Sequence, residues 1–160
     1  MFNFIKKKID SGEVYSPVVG RSISLENVPD QMFAQKLMGE GIGFEFDGDM
    51  VYAPCDGEII LIADTKHAFG IRSKSGAELL VHVGLDTVAL NGEGFEILVK
   101  MNDKVKAHEP IIKINRDFMK EKNINLTTPM VITNMDDVEF RLNSVDAVDL
   151  NSIVAVVKAK

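Results

Sequence analysis

Tryptophan is absent from this chain of 160 residues, and cysteine occurs once, at Cys55. A single cysteine excludes an internal disulfide framework and a zinc knuckle with paired cysteines, and it suits a reducing cytoplasm. A basic excess is also missing, since 18 lysine and arginine residues stand against 24 aspartate and glutamate residues, for a net charge of −6. This balance argues against a nucleic-acid binder, which normally carries a basic face. No apolar run approaches the roughly 20 residues that span a bilayer.

The length and the hydrophobic fraction of 46% predict one globular domain with a full core. We expect this domain over residues 14–160, preceded by a flexible tail over residues 1–13. The alternative for the tail is a short helix on a membrane surface. Phe2, Ile5 and Ile9 would then lie on one side, and neighbouring lysines would contact acidic lipid.

Short apolar segments, separated by glycine, asparagine, aspartate and proline, predict an all-β protein. Two short helical turns are expected, over residues 31–38 and 116–122, the second with Asn115 as its N-cap. The main predicted strands are residues 43–46, 58–63, 68–74, 77–83, 110–114, 130–133, 138–142 and 153–158.

One seven-residue pattern occurs twice. Residues 14–20 and 51–57 both read Val-Tyr-x-Pro-x-x-Gly, and apolar alternation follows each copy. Proline at a strand start and a glycine turn into the next strand are typical of β-structure. We therefore predict an antiparallel β-sandwich built from two similar β-units, with chance similarity as the alternative.

Two of the three histidines flank one predicted hairpin, whose strands are residues 68–74 and 77–83. In the second strand the apolar alternate positions belong to the core, so His82 points to the other face. A two-residue loop would place Phe69 opposite His82, His67 opposite Gly84 and Thr65 opposite Asp86. His67 and His82 would then be diagonal neighbours on one face, whereas an odd-length loop would separate them.

Two neighbouring imidazoles suit phosphoryl transfer. A neutral histidine near pH 7 is a nucleophile that can form a phosphohistidine. A second ring can donate an N–H to the phosphoryl oxygens. The Thr65 hydroxyl could orient His67, and the Gly84 carbonyl could orient His82. The alternatives are two ordinary polar residues on a solvated face, or a zinc site in which Asp86 is a third ligand.

Several segments carry a family resemblance over nearly the whole chain. TKHAF at residues 65–69 and SGAELLVHVGLDTV at residues 75–88 are the most specific. Further matches are VPD at 28–30 with FA at 33–34, GEGI at 39–42, APCDG at 53–57, NGEGF at 91–95, and TPMV at 128–131 with NM at 134–135. With these segments the chain resembles the glucose-type IIA component of the bacterial phosphoenolpyruvate-dependent sugar phosphotransferase system.

The resemblance implies an antiparallel β-sandwich that acts in the cytoplasm and transiently at the inner face of the membrane. It implies that His82 accepts a phosphoryl group from HPr and donates it to a IIB domain of a sugar permease. His67 would stabilise the phosphate and Thr65 would support His67. Asp30 and Asp86 match family aspartates that border the site and meet an arginine of HPr.

The resemblance also implies a docking rim and leaves metal binding open. The rim would consist of five apolar side chains: Met32, Phe33, Leu37, Met38 and Val88. Core packing is the alternative for about half of them. No cofactor is required. Zinc could be held by His67, His82 and a carboxylate of a partner, and regulation of target proteins through the same surface is an alternative function.

The chain departs from the family at His108 and Glu109, where members often have Gly-Asp. We assign His108 no catalytic role, and we expect Cys55 to be a buried, inert thiol. Some zinc peptidases that cut bacterial cell walls have a related sandwich, but they need a His-x-His pair. Residue 84, two positions after His82, is glycine, which argues against that activity.

Overall fold

The computed structural model describes residues 12–143 and 145–160. Phe2, Ile5 and Ile9, the positions of the alternative membrane-surface helix, lie outside the described residues. The helices are α1 (Gln31–Ala34) and α2 (Arg116–Glu121). The strands are β1 (Glu13–Tyr15), β2 (Gly20–Ser24), β3 (Glu40–Phe46), β4 (Met50–Tyr52), β5 (Gly57–Ile62), β6 (Ala68–Ser73), β7 (Glu78–His82), β8 (Phe95–Ile97), β9 (Lys104–Val105), β10 (Pro110–Ile114), β11 (Thr128–Ile132), β12 (Val138–Leu142), β13 (Ala147–Val148) and β14 (Ile153–Ala159).

The strands form antiparallel sheets around one main core. An eight-stranded sheet has the order β13-β2-β3-β11-β7-β6-β5-β9, and two three-stranded sheets have the orders β1-β14-β12 and β4-β10-β8. Fully buried side chains such as Phe44, Phe69 and Ile111 belong to the main core. The predicted all-β sandwich with two short helices is confirmed. No helix within residues 12–143 and 145–160 combines the length and hydrophobicity needed to cross a bilayer.

The strand order repeats in two halves. From the centre of the large sheet, β11-β3-β2-β13 runs one way and β7-β6-β5-β9 runs the other, while each three-stranded sheet belongs to one half. The repeated sequence pattern lies where the halves meet. The Tyr15 N–H donates to the Pro54 carbonyl over 2.7 Å, and the Tyr52 N–H donates to the Pro17 carbonyl over 2.8 Å. These reciprocal bonds agree with the predicted pair of similar units.

The two units differ in the connection that follows their second strand. In the first unit residues 25–39 include a 3-10 turn (Leu25–Asn27) and α1, whereas in the second unit residues 63–67 suffice. We call residues 25–39 the inserted segment. Its apolar side chains cover the face of the large sheet that points away from the main core, because Leu80 and Val131 alternate with core residues of β7 and β11. This second cluster consists of Leu25, Val28, Phe33, Ala68, Leu80, Leu85 and Val131.

Several predicted boundaries differ from those in the structure. Helix α1 ends at Ala34 rather than at residue 38, because the backbone turns at Lys36, whose φ is +62°. Strand β3 begins at Glu40, three residues before the predicted residue 43. At the end of the predicted tail, Glu13 pairs with Val156 and the Gly12 carbonyl accepts from the Val157 N–H, while residues 1–11 lie outside the described residues.

Candidate functional site

The Ser73 N–H donates to the Ala77 carbonyl over 2.8 Å, so the pairing extends one step beyond the ladder of β6 and β7. The loop between the paired residues, 74–76, has three residues instead of the predicted two. Ala68 therefore lies opposite His82, and Phe69 lies opposite Val81. Gly76, the third loop residue, has a φ of +90°, and its N–H donates to the Ser73 carbonyl over 3.0 Å. A turn that ends in a left-handed glycine is a common three-residue hairpin connection. The predicted facing of Phe69 with His82 was wrong.

The two histidines meet although the loop has an odd length. Their ring centroids are 4.7 Å apart, and the ring planes are at 78°. His67 precedes β6 and follows Lys66, whose φ is +63°, so the alternation of a pleated strand does not apply to it. Its carbonyl accepts from the Val83 N–H over 2.6 Å. The facing of Thr65 with Asp86 was expected only if the pairing extended that far, and the ladder ends at Ala68 and His82.

The half-buried His82 ring is oriented by the turn that follows β7. Its Nδ1 lies 2.8 Å from the Gly84 carbonyl oxygen, which can only accept, so Nδ1 carries the proton and Nε2 keeps a lone pair. Gly84 has a φ of +80°, which favours glycine. The buried Thr87 hydroxyl donates to the Val83 carbonyl over 2.7 Å and supports the same turn. Sequence reasoning missed Thr87, although a threonine shortly after a turn glycine is a usable signal.

His67 is oriented by the residue two positions before it. The Thr65 Oγ1 lies 2.7 Å from Nδ1 of His67, as the sequence predicted. His67 is only 6% exposed, and the Thr65 contact leaves its Nε2 available for another partner. In both rings Nδ1 is therefore hydrogen-bonded within the chain, and Nε2 is the other ring nitrogen.

Burial shifts the pKa of both histidines downward, which favours the neutral ring. Burial lowers the pKa of His67, and a hydrogen bond to the Thr65 backbone opposes this shift in part. Burial is also the largest cause that lowers the pKa of His82. The hydrogen bond to Gly84 opposes it, His67 lowers the pKa further, and the charges of Asp30 and Asp86 raise it. A neutral ring with a free Nε2 is a competent nucleophile.

The two predicted aspartates belong to short helical turns beside His82. Asp30 caps α1, where its Oδ1 accepts from the Met32 N–H over 2.9 Å. Asp86 has a φ of +58° and precedes the 3-10 turn Thr87–Leu90. Both carboxylates raise the pKa of His82, so both lie close enough to interact with the charge of its ring.

Comparison with known proteins identifies the family. A model of the phosphoenolpyruvate-dependent sugar phosphotransferase system, EIIA 1, matches residues 12–138. The chain belongs to this EIIA family. The solved structure of glucose permease IIA from Mycoplasma capricolum is similar with a TM-score of 0.83 and 32% identity, over 90% of this chain and 94% of that chain.

Membership of the EIIA family defines the general role. The chain is a phosphocarrier of a sugar phosphotransferase system, with phosphotransferase activity in the general sense. Proteins of this system act together with HPr and with a IIB domain of a sugar permease.

The five apolar residues of the predicted docking rim differ in exposure. Met32, Leu37 and Val88 are 50%, 64% and 57% exposed. Phe33 is only 4% exposed, and its ring centroid lies 5.0 Å from that of His82, so it forms the floor of the site. Met38 is half-buried and packs against the second cluster. Phe33 and Met38 therefore follow the core-packing alternative that the sequence left open for about half of these residues, while contact of the other three with a partner stays a prediction.

Metal binding by this EIIA chain alone has little support. Within the described ranges, no group of three or more histidine, cysteine, aspartate or glutamate side chains could hold a metal ion. The Nε2 atoms of His67 and His82 would supply half of a tetrahedral zinc shell, and Asp86 does not complete it. Any zinc would need a carboxylate from elsewhere.

The third histidine lies in a separate cavity of about 330 Å³, together with Tyr15 and Cys55. His108 has a φ of +77°, and its ring centroid lies 5.0 Å from that of Tyr15. Cys55 is 4% exposed, which confirms the predicted burial of this thiol. His108 makes no contact with the His67 and His82 pair that the structure describes, in line with its assignment of no catalytic role.

Proposed function

We propose that His82 carries the phosphoryl group as a phosphohistidine at Nε2. The lone pair of Nε2 attacks the phosphorus of phosphorylated HPr. A new N–P bond forms on His82 while the N–P bond to the donor histidine breaks, and the donor ring takes back the bonding electrons. In the second step a cysteine thiolate of a IIB domain attacks the same phosphorus, and Nε2 regains its lone pair.

One observation carries this proposal: the 2.8 Å contact between Nδ1 of His82 and the Gly84 carbonyl. The contact assigns the ring proton to Nδ1 and leaves Nε2 as the nucleophile. The lowered pKa of His82 supports the same reading, because the ring needs no deprotonation at pH 7. The reaction requires no cofactor, and its partners imply a cytoplasmic site that visits the inner face of the membrane.

We assign His67 to stabilise charge on the transferred group. A phosphoryl group carries about −1.5 to −2 charges near neutral pH. When the Thr65 hydroxyl donates to Nδ1, the proton of His67 is on Nε2, where it can be donated to a phosphoryl oxygen. The ring separation of 4.7 Å supports such a contact with a group bound to His82.

The carboxylates and the exposed apolar residues suit two tasks. Asp30 and Asp86 repel a phosphoryl group on His82, which keeps it reactive, and they can pair with a cationic residue of HPr. Met32, Leu37 and Val88 are exposed apolar side chains that follow Asp30 and Asp86 in the chain, and we assign them to the surface that a docked partner would cover. Water would then be excluded from the labile N–P bond.

Reconstitution with purified enzyme I, HPr and labelled phosphoenolpyruvate tests the assignment. His82→Ala should take up no label, whereas His67→Gln should take up label but donate it poorly to a IIB domain. His108→Gln is the matched control and should behave as wild type. The label should be acid-labile and base-stable, as an N–P bond requires. Labelling of His82→Ala at the wild-type level would refute the proposal.

A further inference from the structure

We infer that Phe33 is a positioning residue that holds the His82 ring in the orientation in which Nε2 can react. This inference rests on the proposed function. It gives Phe33 a role inside the site in place of the contact with partners that the sequence suggested.

The His82 ring has three contacts in different directions. The Gly84 carbonyl holds Nδ1 at one edge, over 2.8 Å. The ring of His67 lies at 4.7 Å in an edge arrangement, and the ring of Phe33 lies at 5.0 Å with a tilt of 55°. A single hydrogen bond fixes one atom of the ring but not its plane. Phe33 and His67 together restrict the plane, and Phe33 is the apolar member of the pair.

Phe33 is itself held firmly. It is 4% exposed and packs in the second cluster, to which Ala68 and Leu80 also belong. Asp30 caps its helix by accepting the Met32 N–H. Ala68 lies opposite His82 in the ladder and belongs to the same cluster as Phe33.

The inserted segment brings Phe33 to the site. The equivalent connection of the second unit, residues 63–67, is too short to reach across the sheet, and it carries Thr65 and His67 instead. The first unit therefore contributes the aromatic contact and the second contributes the histidines. Burial lowers the pKa of His82, and we expect the apolar ring of Phe33, 5.0 Å away, to contribute to that burial.

The test compares Phe33→Leu with the wild type. Leucine keeps an apolar side chain in the cluster but removes the planar contact. We expect the maximal rate of phosphorylation by phosphorylated HPr to fall about tenfold, since misplaced reacting groups lose rate rather than affinity. The KM for phosphorylated HPr should stay within about twofold, because the exposed rim is intact. The pKa of His82, measured by NMR titration, should rise towards its ordinary value.

Leu25→Val is the matched control, because Leu25 belongs to the same cluster and has a similar burial of 2% exposed. It should leave the pKa of His82 and the rate unchanged. If Phe33→Leu does not fold, Phe33→Met tests the same point with an unbranched side chain. An unchanged His82 titration and rate in the folded Phe33 variant would overturn the inference, as would equal changes in Leu25→Val. A wild type that takes no label would instead overturn the proposed function, since the titration needs no phosphoryl donor.

Discussion

Replacing Gly84 by alanine should perturb both the fold and the His82 ring, because this residue has two separate constraints. Its φ of +80° is unfavourable for any residue with a Cβ. A Cβ added there would also lie 2.6 Å from Cγ2 of Thr87 and 3.2 Å from the Asn125 carbonyl oxygen. The turn would have to shift, and the Gly84 carbonyl would move away from Nδ1 of His82.

The expected cost follows from these two constraints. The left-handed backbone costs about 1–2 kcal/mol with an L side chain, and crowding in a packed site costs about 1–3 kcal/mol more. Gly84→Ala should therefore lower the free energy of unfolding by about 2–5 kcal/mol. Each kcal/mol lowers the Tm of a domain of this size by about 2–4 °C. Gly76→Ala is the control, because its φ is +90° but no atom lies within 4 Å of the added Cβ, so only the backbone cost applies.

Urea unfolding of both variants measures the stability difference, and ¹⁵N NMR of the His82 ring measures the fraction with the proton on Nδ1. Gly84→Ala should lose more stability than Gly76→Ala and should reduce that fraction. Adding Thr87→Ser removes the methyl group at 2.6 Å while keeping the hydroxyl that bonds Val83, so it should restore part of the stability. Equal losses in the two alanine variants, with an unchanged His82 ring, would refute the reasoning.

Three further predictions concern the remaining polar contacts. Thr65→Val, measured by the rate of phosphoryl donation to a IIB domain, should slow that step while labelling of His82 persists, because the 2.7 Å contact that orients His67 is lost. His108→Gly should raise the free energy of unfolding in urea by about 0.5 kcal/mol, since relief of the φ of +77° slightly outweighs the lost contact with Tyr15. Stability should fall as the pH drops below about 6.5, because the unfolded chain then binds protons at His67 and His82 that the folded protein does not, given their lowered pKa values. A His67→Gln, His82→Gln double variant should lose less stability than wild type between pH 6.5 and 5.5 in urea titrations.

Local chemistry was sufficient to predict most elements. Strands β10 and β12 have the predicted bounds, and Asn115 caps α2 by accepting the Phe118 N–H over 3.1 Å. Alternation of apolar residues and side-chain caps depend on neighbours in sequence, which is why both could be predicted. The contacts of Thr65 with His67 and of Gly84 with His82 are local for the same reason.

Loop conformation was beyond the reach of the sequence. Gly76 adds a third residue to the hairpin loop, which shifts every facing pair of β6 and β7 by one. Lys66 with a φ of +63° takes His67 out of the strand alternation, so the rings meet in spite of that shift. The sequence correctly predicted that the two histidine rings are neighbours, but the strand register that it assumed was wrong.

The sequence alone determined the strand pattern, the duplicated unit and the histidine pair with its supporting residues, because each depends on residue types at short spacings. Only the tertiary structure decided that Phe33 packs under His82 while Met32 and Leu37 stay exposed. That choice depends on how the inserted segment crosses the sheet onto Leu80 and Val131, residues that are distant in sequence. Burial of a side chain in a one-turn helix is set by such long-range packing, which no local pattern of residues encodes.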